Sequence, residues 1–342
     1  MNVLRIHEPG KIMLRDEPAP YVTATPRVGE VLLKMAYVGF CGSDLNTFLG
    51  RNAMAKADVI PGHEIGATIA AVGADVPDTL KVGQTVTVNP YTNCGTCASC
   101  RNLRPNACRN NETLGVQRDG AMREYLAVPW TKVIPVEGIT LRDCALIEPM
   151  SVGFHAVARA QVTDSDVVAV LGCGMVGLGA IIRAVRRGAT VIAVDLAPEK
   201  LDIAMALGAR YGINSAKEDL ARRVMELTNG AGADVVIEAV GSPATSVGAI
   251  DAVSFTGRVV CIGYAKSDVS FQTRLFVQKE LDIRGSRNAM PDDFCAVIRY
   301  LQSAPVSMDR FVSGIVAPGE AQSAMEKWAA APGNVFRILV KW

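Results

Sequence analysis

The pattern of apolar and polar residues changes near residue 145. Before that point, short apolar runs, such as residues 30–38 and 84–88, are separated by Gly, Pro and Asn. Short runs bounded by turn-forming residues are typical of β-strands. The first 145 residues are therefore predicted to form a barrel of short strands with long loops.

After residue 166 the pattern is typical of strands that alternate with helices. Residues 167–171 form a continuous apolar run, as a strand buried on both faces requires. The next apolar residues recur at helical spacing until Gly188. Further strands are predicted at 190–195, 233–240, 257–263, 281–284 and 335–341, and further helices at 198–207, 292–301 and 321–328. The repeated β-α-β order predicts an α/β fold with a doubly wound parallel sheet.

Composition and charge limit the possible partners. A chain of 342 residues is long enough for two domains, and its 49% hydrophobic residues favour packed cores. A net charge of +1 without a basic block disfavours nucleic acid and anionic membrane surfaces as the main partner. The first ten residues lack the apolar core of an export signal, so a cytoplasmic protein is predicted.

Four of the nine cysteines form a compact motif, C-x2-C-x2-C-x7-C. Four thiolates at this spacing make a closed tetrahedral set, which suits a structural zinc ion. The odd number of cysteines argues against a disulfide framework. The four ligands are Cys94, Cys97, Cys100 and Cys108. Apolar neighbours predict that Cys144, Cys173, Cys261 and Cys295 are buried packing thiols.

A glycine motif, Gly172-Cys-Gly-Met-Val-Gly177, directly follows the strand at 167–171 and opens a helix. Gly172 would allow a tight turn, Gly174 would let a pyrophosphate approach the backbone, and Gly177 would let helix and strand pack closely. The positive end of the helix would then face the phosphates. The motif, including Val176, therefore predicts a dinucleotide site, although an ordinary glycine-rich turn is the alternative.

Asp195 ends the second predicted strand, near the expected distance for an acid that binds the ribose hydroxyls. A carboxylate there would repel the 2′-phosphate of NADP, so NAD is the preferred cofactor. Lys200 is close enough in sequence to leave that selectivity open.

A second set of possible metal ligands is dispersed along the chain. Cys41, His63, Glu64 and Glu148 lie in three turn-rich segments. Each residue alone would be typical of a core or of a surface turn. Together they offer the thiolate, imidazole and carboxylate ligands of a catalytic zinc ion that keeps one position open.

In this order the motifs resemble those of the zinc-containing medium-chain alcohol and polyol dehydrogenases. The resemblance covers the whole chain and rests on Cys41-Gly-Ser-Asp, Gly62-His-Glu-x-x-Gly66, the four-Cys motif, Glu148-Pro and the glycine motif. It implies a GroES-like β-barrel catalytic domain at 1–147, a Rossmann NAD-binding domain at 148–287, and a tail at 288–342 that completes the catalytic domain.

The resemblance also implies roles for single residues. Cys41 and His63 correspond to zinc ligands, and either Glu148 or Glu64 to the third. Asp44 corresponds to the residue that orients the histidine.

Three further positions carry implied roles or a departure from the family pattern. Ser43 corresponds to the hydroxyl that takes the substrate proton. Arg337 resembles an arginine near the cofactor pyrophosphate, but an exposed strand arginine is equally consistent. Asn46 stands where many relatives have a proton-relaying histidine, so the proton would leave through Ser43 and water or through another group.

The nearest resemblance within the family is to the L-galactonate and L-gulonate 5-dehydrogenases. Segments such as 114–120 and 285–289 carry this resemblance. It implies transfer of hydride from a secondary hydroxyl of a sugar acid or polyol to NAD, with Arg51, Arg118 and Arg287 as candidate partners of a carboxylate. Alternative substrates are a neutral polyol such as sorbitol or galactitol, L-threonine, or a simple alcohol. An alternative function is that of a non-catalytic NAD-sensing zinc protein. Homodimers or homotetramers are expected by analogy.

Overall fold

A computed structural model of the chain describes residues 1–19, 26–303 and 306–342. The described chain divides into a first unit, Met1–Glu148 with Val297–Trp342, and a second unit, Pro149–Ala296. The predicted nucleotide-binding domain ends at residue 287, whereas the second unit of the structure ends at Ala296. Asp293, whose carboxylate lies 2.8 Å from Nδ1 of His155, belongs to the second unit.

Fifteen strands and eleven helices lie within these described ranges. The strands are β1 (Asn2–Glu8), β2 (Lys11–Asp16), β3 (Glu30–Phe40), β4 (Glu64–Val72), β5 (Thr85–Val88), β6 (Tyr125–Pro129), β7 (Val133–Pro135), β8 (Val167–Leu171), β9 (Thr190–Asp195), β10 (Tyr211–Asn214), β11 (Ala233–Glu238), β12 (Val253–Cys261), β13 (Asp282–Gly285), β14 (Gly314–Val316) and β15 (Ile338–Lys341). The helices are α1 (Gly42–Phe48), α2 (Ala98–Arg101), α3 (Leu141–Cys144), α4 (Ile147–Ala160), α5 (Met175–Arg186), α6 (Pro198–Ala206), α7 (Leu220–Leu227), α8 (Pro243–Ala252), α9 (Arg274–Gln278), α10 (Pro291–Gln302) and α11 (Ala321–Ala330).

The second unit contains a six-stranded parallel sheet in the order β10-β9-β8-β11-β12-β13. Numbered within the unit, this order is 3-2-1-4-5-6, which is that of dinucleotide-binding α/β folds. The predicted doubly wound sheet is thus confirmed. The order reverses between β8 and β11, and a ligand binds such sheets at this point, outside the carboxyl ends of the strands.

Apolar strand residues explain why this sheet is central to its unit. β8 and β9 have the predicted bounds, and their side chains, including Ala169, Leu171, Ile192 and Val194, belong to the buried core. α5 and α6 pack against β8, β9 and β10, while α8 packs against β11 and β12. The continuous apolar runs are therefore buried on both faces, as parallel strands require.

The first unit is built on a mixed sheet in the order β14-β15-β3-β4-β5-β7, with β6 also paired to β3. β3 is the long central strand, and its neighbours β4, β6 and β15 all run antiparallel to it. The predicted assembly of short strands is therefore found, and its alternating apolar residues, such as Val31, Leu33 and Met35, are buried in its core.

The structure also contains elements that the pattern did not predict, chiefly β10, α4, α7 and α8. The last strand begins at Ile338 and not at Val335 as predicted. In the described ranges, every helix is too short or too polar to cross a membrane.

Candidate functional site

Two neighbouring strands bring three of the dispersed metal candidates together. β3 ends at Phe40, directly before Cys41, and β4 begins at Glu64, directly after His63. These two strands pair antiparallel with Gly39 opposite Glu64. A side chain on Gly39 would overlap with the Glu64 carboxylate, so the glycine leaves the room that this carboxylate occupies.

The donor atoms of Cys41, His63 and Glu64 all lie within 4.8 Å of one another. Ligand atoms of a tetrahedral zinc ion lie about 3.3–3.8 Å apart, so a small adjustment would let all three reach one ion. Both carboxylate oxygens of Glu64 and Nδ1 of His63 are buried without a hydrogen-bond partner. Buried polar atoms rarely stay unpaired, so the three donors fit a metal cation.

Burial and neighbouring charges shift the pKa values of the donors in this set. Burial raises the pKa of the Glu64 carboxyl well above its ordinary value. Burial alone would also raise the pKa of the Cys41 thiol, but the charge of His63, its hydrogen bond with the thiol and the charge of Arg337 together lower that pKa to about 7. A thiolate is the form of cysteine that binds metal, so the lowered pKa of Cys41 favours metal binding.

Arg337 lies inside this cluster. Its Nε lies 3.0 Å from Oε2 of Glu64, although the N–H does not point at the oxygen, and its NH1 donates a hydrogen bond to the carbonyl of Phe40 at 2.6 Å. The arginine is only 4% exposed, so the exposed strand arginine considered from the sequence is wrong. The physical reason is the pairing of β15 with β3, which brings residue 337 beside the end of β3.

The two candidate carboxylates have different surroundings. Glu64 belongs to the set of mutually close donors, whereas Glu148 does not, as far as the described residues show. Oε1 of Glu148 instead accepts a hydrogen bond from the buried hydroxyl of Tyr91. Burial, followed by the charge of Glu148, raises the pKa of Tyr91, so its hydroxyl keeps the proton that it donates. The sequence contained no signal for Tyr91, because its contact is 57 positions away.

The helix that follows Cys41 carries the other predicted catalytic residues. Oδ2 of Asp44 accepts the backbone N–H of Cys41 at 2.8 Å and so caps α1. Its Oδ1 has no hydrogen-bond partner, and neither has Nδ1 of His63. The hydrogen bond expected between Asp44 and His63 is therefore not formed.

Ser43 and Asn46 both lie on α1. Oγ of Ser43 is buried and has no hydrogen-bond partner. An unpaired buried hydroxyl on the same short helix as Asp44 suits a role with a bound molecule, because burial without a partner is costly. Asn46 is half-buried, and its amide cannot titrate.

The four-Cys motif forms a compact group around α2. Its sulfurs lie 3.5 Å (Cys97 to Cys100), 3.8 Å (Cys97 to Cys108) and 3.6 Å (Cys108 to Cys94) apart, and the cysteines are free thiols. A tetrahedral zinc site with Zn–S bonds of about 2.3 Å spaces its sulfurs about 3.8 Å apart. The hydroxyl of Ser99 lowers the pKa of Cys97 to about 5, which favours the thiolate. The group fits a zinc ion with four protein ligands.

The remaining cysteines differ from one another in burial. Cys144 and Cys173 are buried, as predicted, and burial raises the pKa of Cys144 to about 12. Cys261 is half-buried and Cys295 is exposed, so the prediction of a buried thiol is wrong for Cys295. The apolar neighbours of Cys295 occupy the other side of α10, where Phe294 and Val297 are buried.

The glycine motif forms the turn between β8 and α5 in the second unit. Gly172 has φ +93°, a conformation that favours glycine. A side chain on Gly177 would overlap with the carbonyl oxygen of Gly172, whereas one on Gly174 would meet nothing within 4 Å. Gly174 is the N-cap of α5, and Val176 is half-buried in its first turn. The open space lies at the helix N-terminus, where a phosphate would approach.

Asp195 lies beside the same turn. Its carboxylate accepts N–H groups from Cys173 at 2.7 Å and from Ala197 at 3.0 Å. Lys200 lies on α6, which begins at Pro198. The end of β9 and the glycine turn therefore meet at the carboxyl edge of the sheet, as a dinucleotide site requires.

The three arginines proposed for a substrate carboxylate differ in their surroundings. Arg51 is exposed, whereas Arg118 and Arg287 are half-buried. Nε of Arg118 is buried without a hydrogen-bond partner, and burial lowers the pKa of this arginine. The loop around Arg118 lies against the segment before His63, because Gly115 and Gly120 abut the backbone of Gly62.

The sequence matches two families of known domains and many known proteins. Residues 27–138 match the alcohol dehydrogenase GroES-like domain, and residues 175–303 match the zinc-binding dehydrogenase family. L-galactonate-5-dehydrogenase of Escherichia coli (strain K12) is 32% identical over 92% of this chain and 91% of its own length. Sorbitol dehydrogenase of Bacillus subtilis (strain 168) is 33% identical over 99% of this chain and 97% of its own.

The fold is shared with solved structures as well. The crystal structure of RspB from Escherichia coli CFT073, in complex with cofactor NADH, superimposes with a TM-score of 0.90 at 27% identity and covers 100% of this chain and 99% of that one. The expected combination of a GroES-like domain with a Rossmann domain is thereby confirmed. The protein is therefore an enzyme that belongs to the zinc-containing medium-chain alcohol and polyol dehydrogenases.

Proposed function

We propose that this protein uses zinc and NAD to oxidise a secondary hydroxyl of a sugar acid or polyol. The observation that carries the proposal is the set of Cys41, His63 and Glu64, whose donor atoms lie within 4.8 Å of one another. Nδ1 of His63 and both carboxylate oxygens of Glu64 are buried without a hydrogen-bond partner. Relatives named for L-galactonate and sorbitol support the substrate class. Glu64 is proposed as the third ligand and Glu148 as a nearby carboxylate.

The metal, the cofactor and the side chains would have separate roles in the reaction. When bound, zinc supplies a Lewis acid that lowers the pKa of a substrate hydroxyl, and NAD supplies the hydride acceptor. Ser43 would take the hydroxyl proton, because its buried Oγ has no other partner. Asn46 cannot carry this proton further, so water would take it from Ser43.

The cofactor is proposed to bind at the glycine turn of the second unit. The N–H groups at the start of α5 would face its pyrophosphate, and Asp195 would bind the adenosine ribose. Repulsion between Asp195 and a 2′-phosphate supports NAD over NADP. The role of Lys200 and a contact of Arg337 with the cofactor stay predictions, as do the cytoplasmic location and the homo-oligomer.

The first prediction concerns activity and metal content. Purified protein should bind zinc at both donor sets and form NADH from at least one member of a panel of aldonates, neutral polyols, L-threonine and simple alcohols. Cys41→Ser should lose one zinc ion and lower kcat/KM by a factor on the order of 10³, because the charge stabilisation by a metal is worth several kcal/mol. Fully metallated protein that reduces neither NAD nor NADP with any of these compounds would contradict the proposal.

The second prediction concerns the substrate carboxylate. Arg118 is proposed as its partner, since its guanidinium is partly desolvated and its loop lies against the His63 segment. Arg118→Gln should raise KM for an aldonate about tenfold or more, as expected for loss of a charged hydrogen bond, and leave KM for a neutral polyol unchanged. Arg51→Gln is the matched control, because Arg51 is exposed. Equal effects of Arg118→Gln on both substrates would refute this role.

A further inference from the structure

Glu238 is a buried carboxylate at the carboxyl end of β11, in the second unit. It is only 1% exposed, and its Oε1 accepts three hydrogen bonds. The donors are the N–H groups of Val240 at 2.9 Å and Gly241 at 2.8 Å, and the hydroxyl of Thr245 at 2.8 Å. The carboxylate therefore fixes the turn between β11 and α8 to the end of its own strand.

This turn packs directly on the glycine turn that follows β8. β11 and β8 are neighbouring strands, with Glu238 opposite Leu171. The N–H of Ala239 donates a hydrogen bond to the carbonyl of Leu171 at 2.9 Å. A Cβ on Gly172 would lie only 2.7 Å from Cγ2 of Val240. The two turns therefore lie side by side where the strand order reverses, which is the point at which such sheets bind a dinucleotide.

The loop after β12 packs on the other side of the same turn. A Cβ on Gly263 would lie 2.2 Å from the backbone nitrogen of Gly241 and 2.8 Å from Oε2 of Glu238. This Oε2 is buried and has no hydrogen-bond partner. Burial of an incompletely paired carboxylate is costly, and an apolar side chain could fill the position without that cost. What an apolar side chain could not replace is the acceptor that shapes the turn.

We propose that Glu238 is a positioning residue for the dinucleotide, and that it acts by holding residues 239–241 against the glycine turn. Such a sheet consists of two mononucleotide-binding halves. The half from β8 to β10 carries the glycine turn and Asp195, so the half from β11 to β13 would take the nicotinamide mononucleotide. Glu238 would therefore act on the nicotinamide half of the cofactor. This inference rests on the proposed cofactor site.

The test measures the dissociation constants of NADH and AMP by isothermal titration calorimetry on the full-length protein. AMP contains only the adenosine half, so it reports on the Asp195 side alone. Glu238→Met keeps the length of the side chain and removes the acceptor. It should weaken NADH binding about tenfold, as expected for loss of a charged hydrogen bond, and leave AMP binding unchanged. Equal weakening of both ligands, or unchanged NADH binding in folded Glu238→Met, would overturn the proposal.

Two further variants separate this role from a structural one. Glu238→Gln keeps an oxygen at the Oε1 position, and its NADH binding should stay within about threefold of the original, because a neutral acceptor is roughly half as strong as a charged one. NADH binding as weak as in Glu238→Met would overturn the proposal, since the hydrogen-bonded turn would then not be the cause.

Asp166→Asn is the matched control. Asp166 is also a buried acid, but it stands directly before β8, at the amino edge of the same sheet, where it pairs with Arg258. The variant should lower Tm and leave the binding of both ligands unchanged. A selective loss of NADH binding in Asp166→Asn would overturn the proposal, because any loosening of the sheet would then suffice.

The binding measurements do not depend on turnover. If no substrate in the panel is oxidised, the proposed activity fails, while NADH and AMP still decide the role of Glu238. If Glu238→Met gives no folded protein, Thr245→Val decides, because it removes one of the three donors to Oε1. Weaker binding of NADH with unchanged binding of AMP then supports the proposal, and unchanged binding of both overturns it.

Discussion

Two glycines of the same turn differ in what a side chain would meet. A methyl group on Gly177 would overlap with the carbonyl oxygen of Gly172, whereas a methyl group on Gly174 would meet no atom of the described chain within 4 Å. The first glycine therefore serves packing within the protein. The second leaves space at the N-cap of α5, which the protein itself does not use.

This difference gives a third prediction, at the scale of the residue. Gly177→Ala should lower stability by about 1–3 kcal/mol, since overlap in a packed region forces the backbone to shift. Gly174→Ala should keep the original Tm and raise KM for NAD about tenfold, because the methyl group would stand where the pyrophosphate approaches. Thermal unfolding and steady-state kinetics measure the two effects. An unchanged KM in Gly174→Ala would contradict binding of the pyrophosphate at this turn.

Single residues of the metal site differ in how far the sequence predicted them. Cys41 and His63 stand in motifs whose spacing and residue types indicate zinc chemistry. Arg337 and Tyr91 could not be assigned in this way, because their partners lie far away in sequence: Phe40 for the arginine and Glu148 for the tyrosine. Their roles follow from strand pairing and burial, which a local pattern does not contain.

At the scale of elements, β13 is the edge strand of the parallel sheet with an exposed apolar side chain. Ile283 on this strand is 44% exposed, and Val277 and Phe255 nearby in the same unit are 83% and 67% exposed. An edge strand with unpaired backbone groups and exposed apolar residues can pair with another chain. We propose a second copy of this protein as the partner, in line with the homo-oligomer expected by analogy from the sequence.

The fourth prediction follows from this edge. Ile283→Lys should lower the mass of the proposed oligomer in solution, because a charge would be buried between the paired edges. Ile315→Lys is the matched control: Ile315 is 46% exposed on β14, the edge strand of the other sheet. Light scattering coupled to size-exclusion chromatography measures both. If Ile283→Lys has the mass of the unchanged protein, the interface does not involve β13.

Elements with a strong apolar period were predicted well and the others were not. β8 and β9 are continuous apolar runs, and their predicted bounds agree with the structure. α8 carries small and apolar residues all round, so it lacks the one-sided pattern that indicates a surface helix. β10 has four residues, one of them Gly212, and is stabilised mainly by pairing with β9. Tertiary contacts, not local pattern, determine such elements.

At the scale of the whole molecule, the chemistry is distributed between two units. All the proposed ligands of both metal sites lie in the unit Met1–Glu148 with Val297–Trp342, and the glycine turn lies in Pro149–Ala296. The sequence predicted this division, because the change from short antiparallel strands to β-α-β units is visible in the pattern. The residue at which the chain re-enters the first unit could not be predicted from the sequence pattern, because the division falls inside α10, which contributes residues to both units.

The pairing of β15 with β3 has a consequence for the order of events during synthesis. Cys41, His63 and Glu64 leave the ribosome early, but their counter-charge at Arg337 is translated only after residues 149–296. Until Arg337 is translated, the carboxylate of Glu64 in the growing chain has no guanidinium beside it, and β3 lacks its neighbour β15. Secure capture of the ion is therefore expected to be a late step of maturation, after the nucleotide-binding unit has emerged.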